Sequence, residues 1–355
     1  MLDINNLTKR YGGHIAVKDI SLTIKQGELF SILGPSGSGK SSLLQCISGL
    51  ELPQEGSISI HGEDVTQQPA SERDTAMVFQ NLALFPHMSV EENIEYGLKR
   101  EGIKKSERES RIQEYLELVD LAGYNNRDIE QLSGGEQQRV ALARSLVLQP
   151  DVLLLDEALG SLDQQLRVQL QDKLYEIQRE LDQTMVYVTH DQNVAFSISD
   201  RVAVLNKGRL EQVSSPRTLY ESPETPFMAS FVGDSNSFSG VTKSTNNQEA
   251  EVVVPGSDSS FRGRKIDDGV REEVEVTVIV KINDVKIDTE NDHENKFAGK
   301  VKNKKYLGQS SYISVEIADE LVITATTEDP WGYKTGDTVD IGWAAEDCFI
   351  FKSES

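Results

Sequence analysis

A glycine-rich segment followed by a lysine and a serine is the strongest chemical signal in this sequence. Residues 34–41 read GPSGSGKS and fit the phosphate-binding loop pattern G-x-x-x-x-G-K-S/T. Such a loop brings backbone N–H groups close to phosphate oxygens. Here Lys40 would bridge the β- and γ-phosphates, and the Ser41 hydroxyl would ligate Mg²⁺. The residues predicted to bind the nucleotide are Gly34, Pro35, Ser36, Gly37, Ser38, Gly39, Lys40, Ser41 and Ser42.

The flanking residues supply the elements that this loop needs. The apolar run at 29–33 is typical of a strand, and residues 42–47 are typical of the opening of a helix. A glycine-rich turn that matched by accident, expected in roughly one chain in a hundred, would need neither element. Strand, loop and helix in this order therefore predict a nucleoside triphosphate site.

An acidic pair follows a second apolar strand. Residues 152–155 read VLLL and are followed by Asp156 and Glu157. A pair at the carboxyl end of a buried parallel strand is the Walker B arrangement, in which Asp156 would hold Mg²⁺ and Glu157 would polarise the attacking water. A solvated strand end would explain the pair by itself. His190, after the β-rich run 185–189, would by itself be an ordinary loop histidine.

Together these motifs, in this order, resemble those of the ATP-binding cassette (ABC) ATPases over about residues 1–235. The segment LSGGE at 132–136 is similar to the family signature, and SLD at 161–163, with Asp163, is similar to its D-loop. The resemblance implies that Gln80 is the Q-loop glutamine and a Mg²⁺ ligand, and that His190 is the switch histidine. It also implies that Tyr11 stacks on adenine.

The resemblance further implies a dimer in which each ATP lies between two cassettes. The signature residues would face the γ-phosphate on the partner cassette; they are Ser133, Gly134, Gly135 and Glu136. ATP binding would close the homodimer, and hydrolysis would let it open. One departure from the family pattern is Ala158, where proline usually follows the glutamate. We expect it to loosen the turn and to leave the Glu157 carboxylate in place. Glu136, where glutamine is commoner, is an ordinary variant.

Composition limits the class of protein. With 355 residues, one large and one smaller domain are expected. Residues 1–6 lack a signal-peptide pattern, and no apolar run reaches membrane-spanning length, so a cytoplasmic chain is expected. Two cysteines, Cys46 and Cys348, make neither a disulfide framework nor a metal site.

The chain is strongly acidic. It carries 58 acidic and 36 basic residues, a net charge of −22. This balance argues against nucleic-acid binding and against direct adhesion to anionic lipid. Adaptation to a salty cytoplasm and an ordinary acidic cytoplasmic protein both remain open.

The predicted fold class is α/β: a P-loop ABC cassette with a mixed sheet and a helical subdomain at about 89–146. A capping box of Ser89 and Glu92 marks the start of that subdomain, and residues 112, 116 and 119 form an apolar stripe. The resemblance implies that the segment after Gln80 contacts a membrane subunit. Its apolar residues at 82, 84 and 85 would line that groove or belong to the core.

Composition changes near residue 236. Alternating runs at 274–280, 312–317 and 322–326 predict strands, and short strands with Gly, Asp and Asn turns favour a small all-β barrel of the OB type. This region resembles the transport-associated (TOBE) domain of one importer subgroup. The predicted domains are therefore 1–235, the nucleotide-binding cassette, and 236–355, an accessory or regulatory barrel.

The predicted function is the ATPase subunit of an ABC importer. Two copies would bind two transmembrane permease subunits at the cytoplasmic face of the membrane, and an extracytoplasmic binding protein would deliver the solute. A soluble ABC ATPase acting on ribosomes or DNA would usually carry two cassettes or a long coiled coil. A non-hydrolysing regulatory cassette would not need intact Lys40, Asp156, Glu157 and His190. Residues 231–240 resemble the ferric-iron and polyamine branch more than the sugar branch, unless they are only a drifting linker.

Overall fold

The computed structural model describes residues 1–158, 164–254, 260–287, 293–308, 310–318, 321–329 and 331–353. The chain forms two compact units, Met1–Pro216 and Arg217–Ser355. The boundary predicted from sequence lies after residue 235, so the two divisions differ only in where they place residues 217–235.

The first unit contains strands and helices in alternation. Its strands are β1 (Leu2–Tyr11), β2 (His14–Ile24), β3 (Leu29–Leu33), β4 (Glu55–Ile60), β5 (Glu63–Asp64), β6 (Thr75–Val78), β7 (Val152–Asp156), β8 (Thr184–Thr189), β9 (Arg201–Asn206) and β10 (Arg209–Ser214). Its helices are α1 (Lys40–Ser48), α2 (Val90–Arg100), α3 (Lys105–Leu118), α4 (Gly134–Leu146), α5 (Gln164–Leu181) and α6 (Gln192–Ile198).

A six-stranded sheet forms the centre of this unit, in the order β10-β9-β3-β8-β7-β6. The strands from β9 to β6 are parallel, and β10 pairs antiparallel with β9. Parallel strands present their carboxyl ends at one edge of a sheet, where ligands of α/β proteins bind. The phosphate-binding loop follows β3, Gln80 follows β6, the acidic pair ends β7 and His190 follows β8. The fold therefore brings four distant segments to one edge.

Hydrophobic side chains on both faces of the sheet build two cores. On β3, Leu29 belongs to the core shared with the helices α2 to α5, whereas Phe30 and Ile32 belong to the core shared with α1 and the second sheet, β2-β1-β4-β5. Every residue of β3 and β8 is buried. Continuous apolar runs are what a parallel sheet covered on both faces requires.

The predicted helical subdomain is confirmed in its main features. Helix α2 begins with the predicted capping box: Glu92 N–H donates to Ser89 Oγ at 3.2 Å, and Ser89 N–H donates to Glu92 Oε2 at 2.8 Å. The stripe formed by Ile112, Leu116 and Val119 is fully buried in the helical core.

The second unit is rich in strands. After α7 (Pro216–Glu221) and α8 (Pro226–Phe231) come β11 (Ser235–Thr245), β12 (Glu249–Val253), β13 (Ser260–Lys265), β14 (Glu275–Lys281), β15 (Lys286–Ile287), β16 (Asn295–Tyr306), β17 (Ser311–Ala318), β18 (Leu321–Thr327), β19 (Thr338–Trp343) and β20 (Cys348–Lys352). The three predicted strands correspond to β14, β17 and β18.

Five strands of this unit close a barrel, in the order β11-β12-β13-β20-β14. Sequence analysis predicted a barrel but not the additional sheet β15-β19-β16-β17-β18. Both share one core, in which Phe261 of the barrel stacks on Trp343 of the second sheet at a centroid distance of 5.7 Å. Cys348, unplaced by its sequence context, is fully buried in this core.

Among the described residues, no helix is both long enough and apolar enough to cross a membrane. The longest, α5, has 18 residues and carries charged side chains along most of its length.

Candidate nucleotide-binding site

The phosphate-binding loop meets helix α1 at a position where only glycine fits. Gly39 is the N-cap of α1 and has a φ of 100°. A Cβ atom at this position would lie 2.4 Å from the carbonyl oxygen of Ala16, so a larger residue would displace the backbone. The Lys40 ammonium donates to the carbonyl oxygens of Gly34 and Pro35, at 2.8 Å and 3.0 Å. Lys40 therefore stabilises the conformation of the loop and also provides its positive charge.

Several donors of this loop are available to an anion. The first N–H groups of α1 have no acceptor within the helix. The hydroxyl of Ser38 is buried and has no hydrogen-bond partner among the described residues. Ser38 and the first residues of α1 line a cleft of about 540 Å³. Its lining consists of Tyr11, His14, Ala16, Ser36, Gly37, Ser38, Gly39, Lys40, Ser41, Ser42, Glu157 and His190. The site thus fits a phosphate group.

Both oxygens of the Glu157 carboxylate are held at the rim of this cleft. Gln80 Nε2 donates to Oε2 at 3.1 Å, and His190 Nδ1 lies 3.0 Å from Oε1. The Glu157 N–H donates to the carbonyl of Val188 at 3.0 Å. Its φ of 45° is left-handed, which is uncommon outside glycine. Three strand ends therefore fix the position of one carboxylate.

Ala158, the residue directly after this carboxylate, is buried. Ala158 is 6% exposed and belongs to the core that also contains Leu155 and Tyr187. The looser turn expected from the sequence concerns residues 159–163, which lie outside the described residues. The Glu157 side chain is in the cleft lining, as expected.

The charges in the site are incompletely balanced. Burial lowers the pKa of Lys40, although Glu157 and Asp156 act in the opposite direction. Burial, followed by the charge of Glu157, raises the pKa of Asp156, and Lys40 opposes that rise. An anion would stabilise the charged lysine, and a cation would stabilise the charged aspartate.

The donor set at this edge suits a hard divalent cation. The Ser41 hydroxyl, the Asp156 carboxylate and the Gln80 side-chain carbonyl are oxygen ligands, the type that Mg²⁺ prefers. In the described part of the chain, no cluster of three or more His, Cys, Asp or Glu residues could hold a metal by itself. A hydroxyl, one carboxylate and one amide oxygen fit Mg²⁺, which is usually bound by one or two protein groups together with substrate phosphates.

Tyr11, the residue predicted to stack on adenine, lies at the same cleft. It ends β1, lines the cleft and is 41% exposed. The Lys9 ammonium lies 4.9 Å from the centre of its ring, and its hydroxyl donates to Gln45 Oε1 at 3.4 Å. His14, which sequence analysis missed, pairs with Tyr11 in the sheet and lines the same cleft. It matches no motif, and only the pairing of β1 with β2 brings it there.

The signature residues occupy a different place. Ser133 is the N-cap of α4, and Gly134, Gly135 and Glu136 form its first turn. None of them is among the described residues that line the cleft. Ser133 and Gly134 are exposed. The predicted D-loop residue Asp163 lies outside the described residues.

An arginine that sequence analysis missed holds the segment after Gln80. Arg144, on α4, donates to the carbonyls of Leu82 and Ala83, each at 2.7 Å. Both residues have left-handed φ angles, 58° and 45°. Sixty-one residues separate Arg144 from Ala83, so no local pattern could have indicated the contact. The Q-loop segment is thereby tied to the helix that the signature opens.

Comparison with known proteins agrees with this geometry. A family model described as ABC transporter matches residues 17–160, and a TOBE domain model matches residues 278–351. The Fe(3+) ions import ATP-binding protein FbpC of Escherichia coli (strain K12) is 52% identical over 237 residues, which cover 67% of this chain and 68% of that protein. The chain belongs to the ABC transporter ATPase family.

Two further comparisons place this ABC ATPase within its family. The spermidine/putrescine import ATP-binding protein PotA of Rubrobacter xylanophilus is 40% identical over 354 residues, 98% of this chain and 92% of that protein. The dimeric structure of MJ0796, a bacterial ABC transporter cassette, is similar with a TM-score of 0.55 and 36% identity, covering 61% of this chain and 99% of that one. The chain is an ATPase of the importer subgroup with a TOBE domain, as predicted.

Proposed function

We propose that this ABC ATPase binds MgATP in the cleft above the phosphate-binding loop and hydrolyses it to power solute import. The observation that carries the proposal is the Glu157 carboxylate, which Gln80 and His190 hold beside the loop. A carboxylate fixed next to a phosphate site can orient water for attack on the γ-phosphate. A regulatory cassette without hydrolysis would have no use for this arrangement.

Each side chain of the site has a distinct role in this proposal. Glu157 accepts a proton from the attacking water, and His190 keeps the carboxylate in position while contacting the transferred phosphate. Lys40 neutralises charge on the β- and γ-phosphates, and Tyr11 stacks on adenine. Mg²⁺, when bound by Ser41, Asp156 and Gln80, offsets the negative charge that develops on phosphate oxygens.

We propose that the active form is a homodimer. The signature helix N-terminus at Ser133 is exposed and lies outside the cleft of its own chain, so it is free to serve as an anion site for a second chain. The D-loop residue Asp163 would contact the same interface. The dimeric cassette structures among the similar proteins support this arrangement.

The membership of this chain in the importer subgroup suggests which proteins it binds. We propose that the dimer binds two transmembrane permease subunits at the cytoplasmic face of the membrane, and that an extracytoplasmic binding protein delivers the solute. The segment held by Arg144 is a suitable docking element: Leu82, Leu84 and Phe85 are only partly buried there. The cassette of residues 1–235 would carry catalysis, and residues 236–355 would be accessory or regulatory.

We propose ferric iron or a polyamine as the solute, because the similar proteins named above import Fe(3+) or spermidine and putrescine. Proteoliposomes with the permease and binding protein encoded beside this gene should hydrolyse ATP faster when the binding protein carries its solute. We expect stimulation by ferric iron or by a polyamine. The Glu157→Gln variant in the same vesicles is the control for contaminating ATPases. Stimulation by a sugar alone would favour the sugar-importer alternative, with the ATPase assignment unchanged.

We further propose that the acidic surface is an adaptation to high salt. A net charge of −22 creates self-repulsion that is screened as the Debye length falls from about 8 Å at 0.15 M to about 3 Å at 1 M salt. The melting temperature should therefore rise between 0.2 M and about 3 M KCl. Sucrose, which stabilises by exclusion without screening charge, is the control. A flat or falling curve in KCl would reject halophily.

A further inference from the structure

The first turn of α4 contains a hydrogen bond that competes with the proposed role of the signature. The hydroxyl of Ser133 donates to Glu136 Oε2 at 2.8 Å. The same oxygen accepts the Ser133 N–H at 2.8 Å, and the Glu136 N–H donates to Ser133 Oγ at 3.4 Å. The only proton of this hydroxyl is therefore committed to a carboxylate of its own chain.

The carboxylate itself is held from a second side. The Tyr124 hydroxyl donates to Glu136 Oε1 at 3.0 Å, and the Arg127 guanidinium lies 3.8 Å from the centre of the Tyr124 ring. Hydrogen bonds from the Ser133 backbone, and then from its hydroxyl, lower the pKa of Glu136. The side chain is thus an ionised acceptor with its orientation fixed.

Helix α2 provides an internal comparison. Its capping box of Ser89 and Glu92 has the two reciprocal backbone bonds, at 2.8 Å and 3.2 Å. A capping box needs no more than these two bonds. The additional bond from the Ser133 hydroxyl to Glu136 is therefore not explained by helix capping.

We infer that Glu136, positioned by Tyr124, restrains the signature of the free subunit by holding the Ser133 hydroxyl proton that a γ-phosphate would otherwise receive. The inference rests on the proposed two-cassette site. When ATP arrives on the partner, Ser133 must rotate its O–H from a carboxylate to a phosphate oxygen. Glu136 then lies near the phosphate as a like charge. Both effects raise the ATP concentration needed for dimer closure.

Replacing Glu136 with glutamine tests this inference. The amide oxygen can still accept the Ser133 N–H, so the helix cap and the melting temperature should be retained. The neutral amide oxygen holds the hydroxyl proton less strongly than a carboxylate does, and the like charge beside the phosphate is gone, so the Ser133 hydroxyl turns more readily to a phosphate oxygen. In the Glu157→Gln background, where dimers accumulate, we expect half-maximal dimer formation at about three- to tenfold lower MgATP, the equivalent of one hydrogen bond. Size-exclusion chromatography across an MgATP titration measures it.

Two matched variants complete the experiment. Glu92→Gln makes the same change in the capping box of α2 and should not change the MgATP concentration for half-maximal dimer formation. In a Ser133→Ala background, Glu136→Gln should give a clearly smaller gain, because no hydroxyl remains to be released and only the removal of the like charge still acts. The inference is overturned if Glu136→Gln leaves the MgATP concentration for half-maximal dimer formation unchanged or raises it. It is also overturned if that concentration falls equally without the Ser133 hydroxyl. Either result would leave the proposed function intact. If the Glu157→Gln parent forms no ATP-dependent dimer, the proposed function fails and this inference fails with it.

Discussion

Replacing Glu157 with glutamine is expected to lower ATP turnover by about 10²–10⁴-fold while leaving MgATP binding intact. Glutamine has nearly the shape of glutamate and can keep one contact with Gln80 or His190, but it cannot take a proton from water. The substrate would then persist between two subunits. We expect a nucleotide-bridged dimer to accumulate when MgATP is added.

Phosphate release and size-exclusion chromatography, with and without ATP, measure the two effects. Glu180→Gln is the matched control, because Glu180 is exposed near the end of α5 and outside the cleft lining. It should change neither quantity. Hydrolysis at the wild-type rate by the Glu157→Gln protein would remove Glu157 from the mechanism and would leave the cleft without a general base.

The location of this carboxylate was predictable because its signals are local. A buried strand has a recognisable apolar run, and residues after parallel strands meet at one sheet edge. The short runs before Gly34 and Asp156 therefore predicted a phosphate-binding loop and an acidic pair, and the structure places Gly39 and Glu157 in one cleft lining. Gln80 and His190 were identified only through the family resemblance.

Other contacts were not predictable because they join distant residues that lack any motif. The Arg144 bonds to the carbonyls of Leu82 and Ala83 depend on how α4 crosses the segment after β6. The Tyr124 bond to Glu136 depends on the path of the loop before the signature. In the second unit, alternation of side chains predicted single strands, but which strands would close a barrel depends on long-range pairing.

The signature glutamate shows a different limit. As a residue type, Glu136 was an ordinary variant of the commoner glutamine. Its effect on Ser133 became visible only when the hydroxyl, the carboxylate and the Tyr124 hydroxyl were seen together. A one-atom difference between carboxylate and amide changes the charge and the strength of the acceptor that holds the Ser133 hydroxyl, and sequence patterns do not record this contact.

Replacing Lys40 with alanine should act on nucleotide binding itself rather than on turnover of bound nucleotide. The Lys40 side chain is buried, and its ammonium group donates hydrogen bonds to the carbonyls of Gly34 and Pro35 within the loop. Truncation removes the cation of the phosphate site and leaves both carbonyls unpaired. Loss of a charge-assisted contact predicts about 10- to 100-fold weaker MgATP binding.

Isothermal titration calorimetry with MgATP checks this expectation, and Lys25→Ala, at an exposed lysine of the same unit, is the control. The two active-site variants should therefore separate binding from chemistry. Glu157→Gln should bind and not turn over, whereas Lys40→Ala should bind weakly and form no ATP-dependent dimer. Equal affinity for MgATP in Lys40→Ala and wild type would show that the phosphates lie elsewhere, because no other lysine or arginine is among the described residues lining the cleft.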